Sequence, residues 1–162
     1  METTARGDVP KTLQTIAYIS IPNSADLDFL LWDLQDAIAA YARFSGTVLP
    51  HPVDLKADNA DGVADGIVLA IEDMADDETL TAIEQALERF GSTGTRVYAV
   101  IQAAQESTEQ ARGAAVRLHK ACERHDQLWC GGVAICAGSG IAALRHSPRM
   151  GLLRLSLIHI SE

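Results

Sequence analysis

The loop after the first predicted strand carries the side chains best suited to hold an anionic group. Ser20, Asn23 and Ser24 follow a short apolar run, and a helical pattern begins directly after them. Hydroxyl and amide donors, together with the free backbone N–H groups of a helix's first turn, are the groups that cradle a terminal phosphate. Asp26 and Asp28 favour the positive end of the helix dipole and compete with a phosphate for it. Ordinary helix capping by the same side chains explains the loop equally well.

Two later groups of residues also have types that could do chemistry. Residues 138–143 (GSGIAA) fit the dinucleotide pattern G-x-G-x-x-A, but they follow the fifth predicted strand instead of opening the first βαβ unit, so a flexible loop is the better interpretation. Potential metal ligands occur at His119, Cys122, His125 and Cys130. Their spacing matches no zinc pattern, and Cys122 falls on the apolar stripe of a predicted helix, so we expect a buried thiol and no metal site. No residue stands out as a catalytic acid, base or nucleophile.

Alternating strands and helices must position these residues. Apolar runs without polar alternation are typical of strands that are buried on both faces. The predicted strands are residues 15–21, 47–53, 66–71, 96–103 and 128–136. The first predicted helix starts at Asp26 or Ser24 and ends before Gly46. The second carries an apolar face from Leu80 to Phe90 and ends before Gly91. The third covers residues 108–125 and follows a Ser107–Gln110 capping box.

This order of elements predicts an α/β domain with an open, doubly wound parallel sheet in the order 2-1-3-4-5. Pro50 and Pro52 cannot donate to a sheet ladder, so the second strand is expected at an edge. Residues 54–65 leave room for a short helix at most, and a last helix is expected to begin after Pro148. Ligands bind such sheets at the switch point between strands one and three. The loops to inspect are therefore residues 20–24, 70–76, 102–107 and 137–140.

Length and composition limit the class of protein. The 162 residues, 48% of them hydrophobic and 22% charged, fit one globular domain. The net charge is −9, and it is concentrated in residues 54–88, which hold 11 acidic side chains and one basic side chain, Lys56. Such an acidic patch disfavours nucleic-acid binding. Three cysteines cannot all pair, and neither a secretory signal nor a membrane-spanning run is present. We therefore expect a cytoplasmic domain with reduced thiols over residues 13–154, after a disordered lead at residues 1–12.

The C-terminal end is expected not to be native. The last eight residues, LSLIHISE, resemble the translation of a transposase mosaic-end adapter that is used in sequencing libraries. Residues 155–162 are therefore set aside from functional reasoning, and His159 with them. A native amphipathic end is the alternative. On the adapter interpretation, the last predicted helix is truncated.

Part of the chain resembles a known family. Residues 96–141 are similar to the C-terminal half of flavodoxin-like NAD(P)H-dependent oxidoreductases, flavoproteins related to FMN reductases. The matching features are the strand-loop-helix that begins at Tyr98, the helix entry at Glu109 and Gln110, and the strand at residues 129–132 (WCGG) with its glycine-rich exit. The N-terminal half matches by layout alone.

The resemblance implies a flavodoxin-like fold, bound FMN, electron transfer from NAD(P)H to an unidentified acceptor, and a homodimer. The residues that it assigns to cofactor binding are Ser20, Asn23 and Ser24 for the phosphate, and Gln102, Ala103, Ala104 and Gln105 for the flavin ring. Two loops depart from the family pattern, SIPNS after the first strand and AIEDMAD after the third. The carboxylates of the second loop oppose an anionic cofactor. A degenerate, cofactor-free binding or oligomerisation domain is therefore the alternative.

Overall fold

The computed structural model describes residues 12–59, 61–62, 64–72, 76–103, 109–135 and 157–160. The strands are β1 (Thr15–Ile21), β2 (His51–Pro52), β3 (Gly66–Glu72), β4 (Arg96–Gln102), β5 (Leu128–Ile135) and β6 (Leu157–Ile160). The helices are α1 (Ala25–Ser45), α2 (Asp77–Phe90) and α3 (Glu109–Arg124). The sheet order is β2-β1-β3-β4-β5-β6, with the first five strands parallel. The predicted order 2-1-3-4-5 is confirmed, and it defines a flavodoxin-like fold.

The central strands lack polar alternation because helices cover both faces of the sheet. In β3 every residue is buried except the last, Glu72. The side chains that alternate along each strand divide into two cores. One core contains Leu69 and Ile101 and lies under α2 and α3. The other contains Val68 and Val100 and lies under α1.

Helix α1 begins and ends at the residues that the sequence pattern indicates. Ser24 is the N-cap, and its side-chain oxygen accepts a hydrogen bond from the Leu27 N–H at 3.2 Å. Asp26, the other predicted cap, lies in the first turn instead. At the other end Gly46 adopts a left-handed conformation with φ of 69°, and its N–H bonds to the Ala42 carbonyl. A residue with a Cβ would be strained in that conformation.

Strand β2 is much shorter than the predicted strand at residues 47–53. Only His51–Pro52 form it, at the sheet edge as expected. The His51 N–H donates to the carbonyl of Gln14, directly before β1, and the Val53 N–H donates to the Ile16 carbonyl in β1, each at 2.8 Å. The prolines on either side of His51 have no N–H to contribute, so the ladder stops there. In the described part of residues 53–65 the chain forms turns, and the short helix allowed there is absent.

Strand β6 extends the sheet beyond the five predicted strands. It pairs antiparallel with β5, with Leu157 opposite Ile135 and Ile160 opposite Gly132. The outer edge of β5 offers backbone groups that an extended segment can bond, and these four residues supply one. They belong to the stretch attributed to an adapter. The helix expected after Pro148 lies outside the described residues.

Candidate functional site at the carboxyl edge of the sheet

The chain reverses its winding direction at β1 and β3, which are neighbours in the sheet. They pair in parallel up to Ile21 and Ile71, and β2 lies on the other side of β1. The carboxyl ends of β1, β3 and β4 therefore meet at one edge, beside the start of α1. In open α/β sheets this is the place where ligands bind.

The three residues predicted for phosphate binding come together in the loop between β1 and α1, but both hydroxyls already have partners. The Ser20 Oγ donates to Asp28 Oδ1 at 2.6 Å. Ser24 caps α1 through its side chain, while Asn23 is exposed. The predicted capping function is confirmed. A phosphate at this loop would have to replace Asp28 as the acceptor of the Ser20 hydroxyl.

Acidic side chains surround this edge, and the structure separates those that cap helices from those that face the candidate site. Asp76 is the N-cap of α2, and hydrogen bonding to Thr79, whose N–H donates to Oδ1 at 2.8 Å, holds the pKa of that carboxyl below its usual range. Asp77 lies in the first turn of α2, where its charge stabilises the helix dipole. Glu72 ends β3 with an exposed side chain. Of the four acids in this loop, two therefore belong to the start of α2, and Asp73 lies outside the described residues.

The residues predicted for the flavin ring begin at the end of β4. Gln102 pairs in register with Glu72 on one side and with Ile135 on the other. Its Oε1 is buried and accepts no hydrogen bond within the part of the chain that the structure describes. Ala103 is fully buried, and its N–H donates to the Ile135 carbonyl at 3.0 Å, so this backbone donor is occupied. Ala104 and Gln105 lie outside the described residues.

A cavity of about 420 Å³ opens on the α1 side of the sheet, at a distance from these loops along the strands. Its walls include Leu34 and Ile38 of α1 and the strand residues Tyr98, Cys130 and Val133. Burial raises the pKa of the Tyr98 phenol, with a smaller contribution from the neighbouring Cys130. Cys130 is exposed. This cavity was not predictable from the sequence, because α1 and four strands, β1, β3, β4 and β5, form it jointly.

The four potential metal ligands do not converge on one point. His125 Nε2 lies 2.9 Å from Glu84 Oε2, and His119 stacks on the Trp129 ring with centroids 6.5 Å apart. Cys122 is buried as predicted, and this burial raises the pKa of its thiol to about 12. Among the described residues no group of three potential ligands could hold a metal ion.

A small cluster between α2 and α3 has a structural function instead. Glu84 accepts hydrogen bonds from Arg124 and His125, and the Arg124 guanidinium is the main group that lowers the pKa of the Glu84 carboxyl. The sequence did not predict this cluster, because its members are 40 and 41 residues apart. It ties the middle of α2 to the end of α3 and lies away from the carboxyl edge.

Comparison with known proteins adds no family assignment. No family model matches the chain, and no curated protein is significantly similar to it. None of the helices in the described ranges is long and apolar enough to cross a membrane. The fold and the geometry of the edge therefore carry the functional argument.

Proposed function

We propose that the protein is an FMN-binding oxidoreductase that passes electrons from NAD(P)H through the flavin to an acceptor that is not yet identified. The observation that carries the proposal is the strand order. It brings the β1–α1 loop, the N-terminus of α1 and the end of β4 to one edge at the switch point. This edge is where a doubly wound sheet binds a nucleotide-like ligand.

The residues at the two ends of this edge differ in how well they suit FMN. Gln102 offers a buried oxygen without a partner among the described residues, which suits the imide N–H of a flavin ring. At the phosphate end, Ser20, Asn23 and Ser24 supply polar side chains beside a helix N-terminus. When bound, FMN would supply the redox chemistry by accepting a hydride and releasing electrons. The chain's own residues would bind it, orient it and exclude water from one face.

A second function is favoured by the hydrogen bonds of the β1–α1 loop. The Ser20 hydroxyl is bonded to Asp28, and Ser24 is occupied as the cap of α1. Such a loop satisfies its own polar groups and carries two carboxylates in the first helical turn. The alternative is therefore a cofactor-free flavodoxin-like domain that serves in binding or oligomerisation.

Flavin retention separates these two functions. The purified full-length chain is expected to carry the visible flavin absorbance, or to quench the fluorescence of added FMN, and then to oxidise NADH or NADPH in the presence of an electron-accepting dye. A colourless protein that takes up no FMN would refute the oxidoreductase proposal. Tight FMN binding would refute the cofactor-free alternative.

A matched pair of serine variants tests the phosphate end of the site. Ser20→Ala removes a hydroxyl at the carboxyl edge and is expected to weaken FMN binding about tenfold, the usual effect of one hydrogen bond to a charged group. Ser92→Ala removes an exposed hydroxyl in the loop between α2 and β4, and it should leave FMN affinity unchanged. Equal affinities of the two variants would exclude Ser20 from the site.

The cellular setting belongs to the same proposal. The two cysteines that the structure describes, Cys122 and Cys130, are free thiols, which supports a cytoplasmic location. A homodimer without nucleic-acid or membrane partners is expected. Light scattering on the protein as it elutes from a size-exclusion column tests directly whether it is a homodimer.

A further inference from the structure

The cavity on the α1 side of the sheet takes no part in the proposed FMN site. Tyr98, in its wall, comes four residues before Gln102 on β4, which is roughly 13 Å along the strand. The cavity volume of about 420 Å³ falls in the range of small-molecule sites. A ligand held beside Tyr98 would therefore not overlap a cofactor at the carboxyl edge.

The cavity exists because α1 packs closely on the sheet at its start and less closely at its middle. Leu27 and Leu31 are buried against the sheet. Leu34 and Ile38 come next on the same stripe of the helix, but they are only partly buried and they line the cavity. In the strand wall Gly131 has no side chain to fill the space that the helix leaves.

A β-bulge shapes the strand wall of the cavity. The register between β4 and β5 shifts at Tyr98, where two residues of β5, Cys130 and Gly131, stand opposite this one residue of β4. Gly131 has a φ of 99°, which residues with a Cβ rarely adopt. Bulges re-aim side chains, often beside binding sites. This bulge brings the Cys130 thiol next to the Tyr98 phenol, and both groups line the cavity.

The polar groups of the cavity define the chemistry of its ligand. None of the described residues that line it carries a charge, so an ion would lose its hydration there without gaining an opposite charge. Burial raises the pKa of the Tyr98 phenol, so the hydroxyl is protonated at neutral pH and is a hydrogen-bond donor. The Arg96 guanidinium, near the phenol but outside the lining, only donates and leaves the phenolic proton free. The Cys130 sulfur is a weak acceptor, so a carbonyl oxygen would be the better partner for this proton.

The size of the cavity indicates the size of the ligand. A dry apolar cavity of about 150 Å³ is large enough to hold benzene. The cavity in this protein has nearly three times that volume, which accommodates two fused aromatic rings with a short substituent. We propose that it binds an uncharged bicyclic aromatic ketone, whose rings contact Leu34 and Ile38 and whose carbonyl oxygen accepts a hydrogen bond from the Tyr98 hydroxyl. The site does not depend on FMN.

The test uses prodan, a neutral naphthalene ketone whose fluorescence moves to shorter wavelength when it leaves water. Titration of the full-length chain should give a saturable shift with one site per chain. Tyr98→Phe keeps the ring and removes the hydroxyl, so it should weaken prodan binding about fivefold, the usual effect of one neutral hydrogen bond. Val133→Phe places a ring in the cavity and should weaken binding by about tenfold or more. Its urea midpoint should stay the same or rise, because the new side chain fills empty space.

Two controls isolate the hydrogen bond from the apolar contacts. Tyr18→Phe removes another partly buried phenol from the same face of the sheet, but outside the lining of the cavity, and should leave prodan binding unchanged. The second control is dimethylaminonaphthalene, which has the same rings without the ketone. Wild type and Tyr98→Phe should bind it equally well, whereas Val133→Phe should bind it weakly.

Each result supports or overturns the inference. An unchanged prodan affinity for Tyr98→Phe, or an equal loss for prodan and its ketone-free analogue, would disprove the hydrogen bond and the proposal with it. Displacement of prodan by FMN would place the probe at the carboxyl edge and would also overturn the proposal. If wild type does not bind prodan, or binds it only when dilute, another part of the protein or a second copy closes the cavity, and the proposal fails. FMN uptake is measured separately, so none of these results decides the proposed function.

Discussion

Asp28 is the residue whose charge most directly opposes a phosphate at the β1–α1 loop, so its replacement gives the most informative prediction. The Asp28→Asn variant keeps the size of the side chain and an oxygen that can accept from Ser20, and it removes one negative charge. We expect it to bind FMN more tightly than wild type and riboflavin equally well. Riboflavin lacks the phosphate, so the charge at position 28 should not affect it.

The magnitude follows from the distance between the two groups. Asp28 Oδ1 lies 2.6 Å from the Ser20 oxygen. A phosphate oxygen bonded to the same hydroxyl would lie about 2.7 Å beyond it, hence within roughly 5 Å of the carboxylate. At that distance in water each phosphate charge costs about 0.8 kcal/mol. For a dianion, salt screening reduces the sum to about 1 kcal/mol, or about fivefold in Kd.

The assay is a titration of the flavin-free protein followed by fluorescence, with FMN and riboflavin, at low and at moderate salt. The FMN gain of Asp28→Asn should shrink as salt is added, because both groups are near solvent. Glu88→Gln is the matched control, since it removes the same charge from an exposed position near the far end of α2 and should change neither Kd. Unchanged or weaker FMN binding by Asp28→Asn would refute the electrostatic argument, as would an equal gain for riboflavin.

Three further predictions concern the fold that holds the site. Asp65→Ala removes an acceptor that three donors at the start of β1 share. It should lower the free energy of unfolding by about 2 kcal/mol in urea titrations, and a loss under about 0.5 kcal/mol would contradict this. Gly91→Ala would bring a Cβ against the Gln127 amide and the Leu87 carbonyl and should lower the free energy of unfolding, whereas Gly113→Ala, with open space around it, should raise it by about 1 kcal/mol. Thermal melts that rank the two variants in reverse would disprove the steric argument. The pKa of Glu84 is lowered in the folded state, so its contribution to stability is present near neutral pH and is lost as the pH falls below the usual glutamate range. Glu84→Gln should therefore flatten the acid side of the plot of stability against pH. Parallel plots for the variant and wild type would count against a stabilising role for the Glu84 cluster.

The strands and helices of this protein follow from local patterns in its sequence. Uninterrupted apolar runs identified the central strands, and Gly46 and Ser24 marked the ends of α1. The largest difference from the prediction is the length of the edge strand β2. The prolines around His51 were recognised as unable to donate, but how many residues would still pair depends on β1 opposite them.

The candidate site was predicted as a set of loops, and its chemistry was decided by contacts between distant residues. The family resemblance predicted Ser20 and Gln102 as cofactor-binding residues, and the sequence showed that nearby acids oppose a phosphate. It could not show that Asp28 takes the Ser20 hydroxyl, because two acids of the first turn are equally placed in a linear pattern. Nor could it show that the Gln102 oxygen is buried, with no hydrogen-bond partner in the described ranges, since burial there comes from strands on both sides.

The sequence by itself determined the class of fold, because hydrophobic periodicity and capping residues act over a few positions and the crossover rule limits how such elements assemble. Only the tertiary structure decided which polar atoms are satisfied. A hydrogen bond depends on distances of a few ångströms between groups that are far apart in the chain, as between β4 and its neighbours β3 and β5. That is why the edge of the sheet was predictable, whereas the hydrogen bonding of the Gln102 and Ser20 side chains was not.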